Sequence, residues 1–201
     1  MRKIIFLNGC GSSGKTSLAR TIQQVSDVQW LTFGVDTFIE MTPIPGENPR
    51  ETGYFSFIPG QNERGPLMRV EMGPNAEQLF GVMPEFAKLL ADKGNNLIID
   101  EVLFDDASLQ TYAECLKNHL VYFVGVFCDL AVMQARERLR ADRAIGLSND
   151  QIDRVHAGLR PYDLQVDTTK MPANQIAQQI LEYIEKNPHP QGFETICKGE
   201  K

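Results

Sequence analysis

Gly9-Cys10-Gly11-Ser12-Ser13-Gly14-Lys15-Thr16 decides the fold. The run fits G-x-x-x-x-G-K-[ST], and its flanks matter as much as its letters. Before it, Lys3-Ile4-Ile5-Phe6-Leu7-Asn8 is a short apolar run that reads as a buried strand; after it, Ser17-Leu18-Ala19-Arg20-Thr21-Ile22 opens a helix. Glycines at 9, 11 and 14 let the backbone wrap, so that successive N–H groups from Ser12 and Ser13 through to Ser17 point inward at a phosphate chain. The helix N-terminus adds partial positive charge. Lys15 then reaches the β- and γ-phosphates, and the Thr16 hydroxyl ligates Mg²⁺. A chance Gly/Ser-rich turn between strand and helix gives no reason for Lys-Thr to follow Gly14. The segment therefore predicts a nucleoside triphosphate site.

Working outward, strands alternate with helical stretches. Trp30-Leu31-Thr32-Phe33 is a second strand, ending at Gly34-Val35-Asp36. Residues 41–66 are rich in Pro, Gly and Asn, and the alternating pieces Tyr54–Ile58 and Leu67–Met72 suggest a hairpin-like insertion over 41–72. The spacing of Leu79, Val82, Met83, Phe86, Leu89 and Leu90 predicts one helix over 76–93, closed by Gly94. Strands follow at 96–100, 120–128 and 163–167, with helices at 107–118, 130–143, 148–159 and 174–186; Ser148 is the expected cap of the third. Continuous apolar strands joined by helices predict an α/β fold: a parallel five-stranded sheet flanked by helices, in P-loop kinase architecture. It is read as one domain over 1–187, with a lid-like segment at 136–149 and a loosely held polar tail at 188–201.

Net charge of -6 disfavours non-specific nucleic-acid binding, which needs a basic surface. The apolar run after Met1-Arg2-Lys3 is too short for a signal sequence, and no later run approaches membrane-spanning length. Cys10, Cys115, Cys128 and Cys197 show no metal-ligand spacing, so they read as reduced thiols in a cytoplasmic protein. Cys10 lies in the loop itself, where its oxidation or alkylation would block the nucleotide.

Ligands of such sheets bind at the carboxyl ends of the strands. Asp36 ends the second strand there. A carboxylate beside the γ-phosphate suits a base that deprotonates an acceptor hydroxyl; the plain alternative is a helix N-cap. Asp100 and Glu101 end an apolar strand, the arrangement that holds Mg²⁺ in such folds, although strand-end acids also satisfy loop N–H groups. Arg136, Arg140 and Arg143 fall at i, i+4 and i+7, one helix face able to clamp transferred phosphate. Alternatively that face is solvated and pairs with Glu137 and Asp142. His156 reads as a satisfied histidine, and the aromatics Trp30, Phe33, Phe38, Tyr54, Phe55 and Phe57 read mostly as core, some lining an acceptor pocket.

Several stretches together resemble the chloramphenicol phosphotransferases. They are Ile4-Ile5 through Leu7-Asn8-Gly9 with Ser12-Ser13 and Gly14-Lys15, Phe33-Gly34-Val35-Asp36, Ile98-Ile99-Asp100 with Val102, Arg136-Glu137 with Arg140, Asp142-Arg143 and Gly146, Val155-His156 with Gly158, Tyr162-Asp163, and Val166-Asp167-Thr168-Thr169. The resemblance implies transfer of the ATP γ-phosphate to a primary hydroxyl of chloramphenicol. It implies that Asp36 is the base, that the three arginines belong to a lid, and that Thr168 and Thr169 lie near the adenine. The insertion is where the acceptor is expected. The rival readings are a nucleoside, nucleotide or sugar kinase of the same fold, and an ATP-binding module that transfers nothing. No N-K-x-D guanine motif is present, which disfavours a GTPase.

Overall fold

A computed structural model describes residues 2–43, 53–140, 144–158 and 160–199. The order is β1 (Lys3–Asn8), α1 (Lys15–Val25), β2 (Trp30–Gly34), α2 (Val35–Ile39), β3 (Phe55–Asn62), β4 (Gly65–Met72), α3 (Pro74–Gly81) and α4 (Met83–Asp92). Then come β5 (Asn96–Glu101), α5 (Asp106–Leu116), β6 (Leu120–Phe127), α6 (Leu130–Leu139), α7 (Leu147–Gln151), β7 (Leu164–Asp167), α8 (Ala173–Lys186) and α9 (Gly192–Lys198). Five strands form one sheet in the order β2-β5-β1-β6-β7, every pairing parallel. The expected α/β architecture is present.

The period of two along the strands divides the core. Ile4 and Phe6 of β1 join Phe33, Leu97, Ile99 and Phe123 on one face, under α4 and α5. Ile5 and Leu7 join Ile98, Tyr122, Val124 and Val126 on the other, under α1 and α8. With both faces covered, central strands carry apolar residues at every position, which is why β1 and β6 read as unbroken runs. All five strands point the same way, so their carboxyl ends deliver the phosphate loop, Asp36 and Asp100 to one edge.

Three expectations are corrected. The helix over 76–93 is two helices, α3 and α4, meeting at Val82. Pro84 has no N–H to give the preceding turn, so it starts a helix rather than continuing one. The tail is not loose: α9 buries Phe193 and Ile196 in the same core as Phe6 and Phe123. The Asp163 carboxylate holds its entry, accepting from the N–H groups of Gln191 and Gly192. Burying Phe193 alone is worth about 2 kcal/mol. Finally, α7 begins at Leu147 with Gly146, not Ser148, at its N-cap, and Ser148 is buried inside it.

The insertion does contain a hairpin. β3 and β4 pair antiparallel from Phe55↔Met72 to Asn62↔Gly65 around the two-residue turn Glu63-Arg64. Residues 44–52 of the expected insertion lie outside the described residues. No helix among the described residues is long and apolar enough to cross a membrane.

Candidate active site

β1 enters the phosphate loop at Gly9, where a Cβ would stand 2.4 Å from the Val126 carbonyl oxygen; no other residue fits so close to β6. Ser12 and Gly14 take left-handed backbone (φ 62° and 94°), which curls the loop before α1. No side chain caps α1, and its first turn holds no acid, so its N-terminal positive charge is left for a ligand. Lys15 is buried; its ammonium donates to the Cys10 carbonyl at 2.9 Å and stands 3.6 Å from Asp100. The Ser12 and Ser13 hydroxyls are buried without a hydrogen-bond partner in the protein. Buried donors without acceptors, a buried cation and an uncapped helix together fit a phosphate chain.

Asp100 faces this loop: Thr16 Oγ1 donates to its Oδ2 at 2.6 Å. Glu101, next along β5, necessarily points to the opposite face. It is buried there, accepting from the Tyr112 hydroxyl at 2.6 Å and from the Val102 N–H at 3.3 Å. Burial lifts its carboxyl to about 7, against the lowering pull of the Tyr112 hydrogen bond. The expectation that Glu101 shares the metal is therefore corrected; Asp100 alone of the pair reaches the loop.

Asp36 lies one residue inside α2, whose N-cap is Gly34, so it is not the cap of that helix. It lines the same cleft of about 500 Å³ as Gly11, Ser12, Gly14, Lys15, Thr16, Ser17 and Asp100. Gly34 makes this convergence possible. A Cβ there would fall 2.1 Å from the Asp100 carbonyl oxygen and 2.9 Å from its Cβ. The glycine before Val35-Asp36 is thus a spacing device between β2 and β5, a role the sequence reading missed.

Arg136 and Arg140 both line the cleft, but they do not sit on one continuous helix. Arg136 braces the loop: Nη1 donates to the Ser12 carbonyl and to Thr168 Oγ1, both at 3.3 Å, and Nη2 to the Thr168 carbonyl at 2.9 Å. Thr168 Oγ1 in turn donates to the Ser13 carbonyl, tying the loop after β7 to the phosphate loop. α6 ends at Leu139, and Arg140 is extended (φ −98°, ψ 123°), although it still lines the cleft. Arg143 lies outside the described residues. Thr168 lines the cleft, but Thr169 turns away to accept from the Asp129 N–H. Glu137, which the alternative reading put in a solvated pairing, is buried; its carboxylate accepts from the N–H groups of Gly146 (3.1 Å) and Ser148 (2.6 Å). It supplies the cap that Gly146, with φ 99°, cannot.

Around this, several polar residues play quieter roles. Asn8, a polar residue closing an apolar strand, donates to the Val155 carbonyl and the Tyr162 hydroxyl and accepts from the Leu103 N–H, so it fixes the base of the loop. His156 is a satisfied histidine: its ring stacks on Phe127 and Nδ1 pairs with Tyr162. Burial first, then the Lys15 charge, push its pKa down to about 4. Cys10 is buried, and burial raises its thiol to about 11. Burial and a raised pKa both make this thiol less reactive than an exposed cysteine. Phe33, Phe38 and Phe86 form a packed aromatic triad. Phe57 stays exposed on the hairpin.

A model of the chloramphenicol phosphotransferase-like family matches residues 2–185, and the chain belongs to that family. A Mycobacterium tuberculosis H37Rv protein proposed as an O-phosphotransferase is 28% identical over 199 residues, covering 98% of this chain and 88% of that protein. Among solved structures, an unliganded sugar kinase from Janibacter sp. HTCC2649 aligns with TM-score 0.59 at 19% identity, covering 94% of this chain and 96% of its own. The Mycobacterium tuberculosis APS kinase, in complex with AMPPNP and APS, aligns with TM-score 0.59 at 14% identity, covering 92% and 98%. Likeness at these identities speaks for the fold: that of P-loop kinases. The chain is thus a member of a phosphotransferase family with the fold of P-loop kinases.

Proposed function

We infer that this member of the family moves the γ-phosphate of ATP to a hydroxyl of a small molecule, chloramphenicol or an acceptor like it. The observation that carries the reading is the convergence of Asp36, Lys15 and the Thr16–Asp100 pair in one cleft. The amides from Ser12 to Ser17 and the Lys15 ammonium cradle the phosphates. Thr16 and Asp100 would hold Mg²⁺, which such sites bind through one or two protein oxygens plus phosphates and water. The bound ion supplies neutralising charge on the phosphate oxygens. Asp36 orients the acceptor hydroxyl and takes its proton as the new O–P bond forms. Arg136 holds the loop against Thr168 on the adenine side, while Arg140, and Arg143 beyond it, meet the charge that grows in the transition state. The hairpin and the segment before it carry the acceptor, and 136–149 acts as a lid. The family resemblance and the Phe33-Gly34-Val35-Asp36 sequence support chloramphenicol as first acceptor to try. Use of ATP and four unpaired cysteines fit a cytoplasmic site of action.

Coupled ADP release over a panel of hydroxylated compounds, with chloramphenicol, nucleosides and sugars among them, tests this. Acceptor-dependent ADP release that needs Mg²⁺ is expected with chloramphenicol-like alcohols. Turnover with nucleosides or sugars alone would replace the acceptor, and ATP binding without transfer to any compound would favour the non-catalytic module.

A further inference from the structure

The loop is also held from a direction that ATP chemistry does not require. The Gly11 N–H donates to the side-chain carbonyl of Gln151, 140 residues away at the end of α7. Gly11 lines the cleft two residues before Ser13. The same five-residue helix is fastened to the hairpin by the residues just before Gln151. Asn149 is buried and exchanges hydrogen bonds with Asn62 in both directions, and its amide also donates to the carbonyls of Gly65 and Pro66. Asp150 accepts from Arg69 of β4 at 3.0 Å and from Arg154 at 2.6 Å. The Met68 N–H donates to the Gly146 carbonyl, and a Cβ on Gly146 would lie 2.8 Å from Leu67 Cα, so backbone meets backbone. Below, Arg64 pairs with Asp153.

We propose that Gln151 is a positioning residue that carries the placement of the β3–β4 hairpin to the phosphate loop. One rigid turn has two consecutive residues, Asn149 and Asp150, on the hairpin and the next on the loop. A shift of the hairpin therefore moves the Gln151 carbonyl against the Gly11 amide. Hydrogen bonds weaken steeply with misalignment, so a small displacement is enough to change how the loop is held. The proposal rests on the reading above, in which the hairpin meets the acceptor and the loop meets the nucleotide. It makes acceptor and nucleotide binding cooperative through α7, and by reciprocity each tightens the other.

The test is a double-mutant cycle without any acceptor, read as affinity for Mg·AMPPNP by calorimetry. Gln151→Met keeps the length of the side chain and removes the acceptor oxygen; it is expected to weaken binding roughly two- to ten-fold, the range set by one neutral hydrogen bond. Asn62→Ala breaks the reciprocal amide pair on the hairpin, far from the nucleotide, and is expected to weaken binding about two- to five-fold in the wild type. In the Gln151→Met background Asn62→Ala should change affinity by less than about two-fold, because the link is already cut. Gln151→Asn, which draws the amide back by one methylene, should reproduce the Met pattern. Additive losses in the double variant, or no effect of Asn62→Ala alone, overturn the proposal. Lys15→Ala separates the two readings: if it binds Mg·AMPPNP as tightly as wild type, the nucleotide assignment fails and not the link.

Discussion

Replacing Gly34 with alanine probes how the site is assembled rather than how it reacts. The added Cβ would start 2.1 Å from the Asp100 carbonyl oxygen, whereas real Cβ contacts essentially never fall below 3.0 Å. β2 and β5 must therefore separate locally by about 0.9 Å. The obstacle is backbone inside a ladder that pairs Gly34 with Asp100, so no side chain can swing aside. Overpacking of this kind costs about 1–3 kcal/mol. The larger effect is on position. Asp36 follows Gly34 by two residues, and Asp100 is the strand partner itself, so both acids leave their places together. A misplacement of about 1 Å can cost on the order of 10²-fold in rate. Turnover by coupled ADP release, alongside thermal unfolding, reads both terms. The expected result is a folded protein with a lowered Tm and turnover reduced by roughly two powers of ten. Gly34→Ala with wild-type turnover would show that the acids do not depend on this spacing.

Three further outcomes follow from particular contacts. Asp100→Asn should raise the Mg²⁺ concentration needed for half-maximal turnover, while Glu101→Gln, changed on the opposite face of β5, should leave that titration unchanged. Glu137→Ala leaves the buried N–H groups of Gly146 and Ser148 without an acceptor and should cost about 1–3 kcal/mol by denaturant unfolding, whereas Arg138→Ala on the same helix should cost far less. His156 has a folded pKa near 4 against 6.5 unfolded, so its contribution to stability is full above pH 6.5 and is lost as pH falls through 6.5 toward 4. His156→Phe, which keeps a ring on Phe127, should flatten that limb of the stability–pH curve.

The parts of this molecule legible in the sequence are those governed by local rules. The central strands announce themselves because both faces of the sheet are covered, and the loop because Lys15 and Thr16 have no structural reason to follow Gly14. Asp36 and Asp100 are found from their places at strand ends. Pro84 is itself a local signal for a helix start inside the stretch from Leu79 to Leu90. What stayed hidden depends on long-range partners. Nothing local says that Glu137 caps a helix ten residues on, or that Gly34 must clear a carbonyl on another strand. Phe193 and Ile196 are two apolar residues in a polar stretch, and their burial depends on a gap that Phe6 and Phe123 leave at the sheet. Nothing local says that α6 stops at Leu139, so that Arg140 reaches the cleft from extended backbone rather than from the helix that carries Arg136.

The central claim is that Asp36 is the base, and Asp36→Asn tests it most directly. The change keeps the size of the side chain and one oxygen but cannot take a proton. Mg·ATP affinity and turnover with an active acceptor should be measured on the same preparation. The account predicts unchanged affinity and turnover lowered by about two or more powers of ten. Near-normal turnover in Asp36→Asn would contradict it.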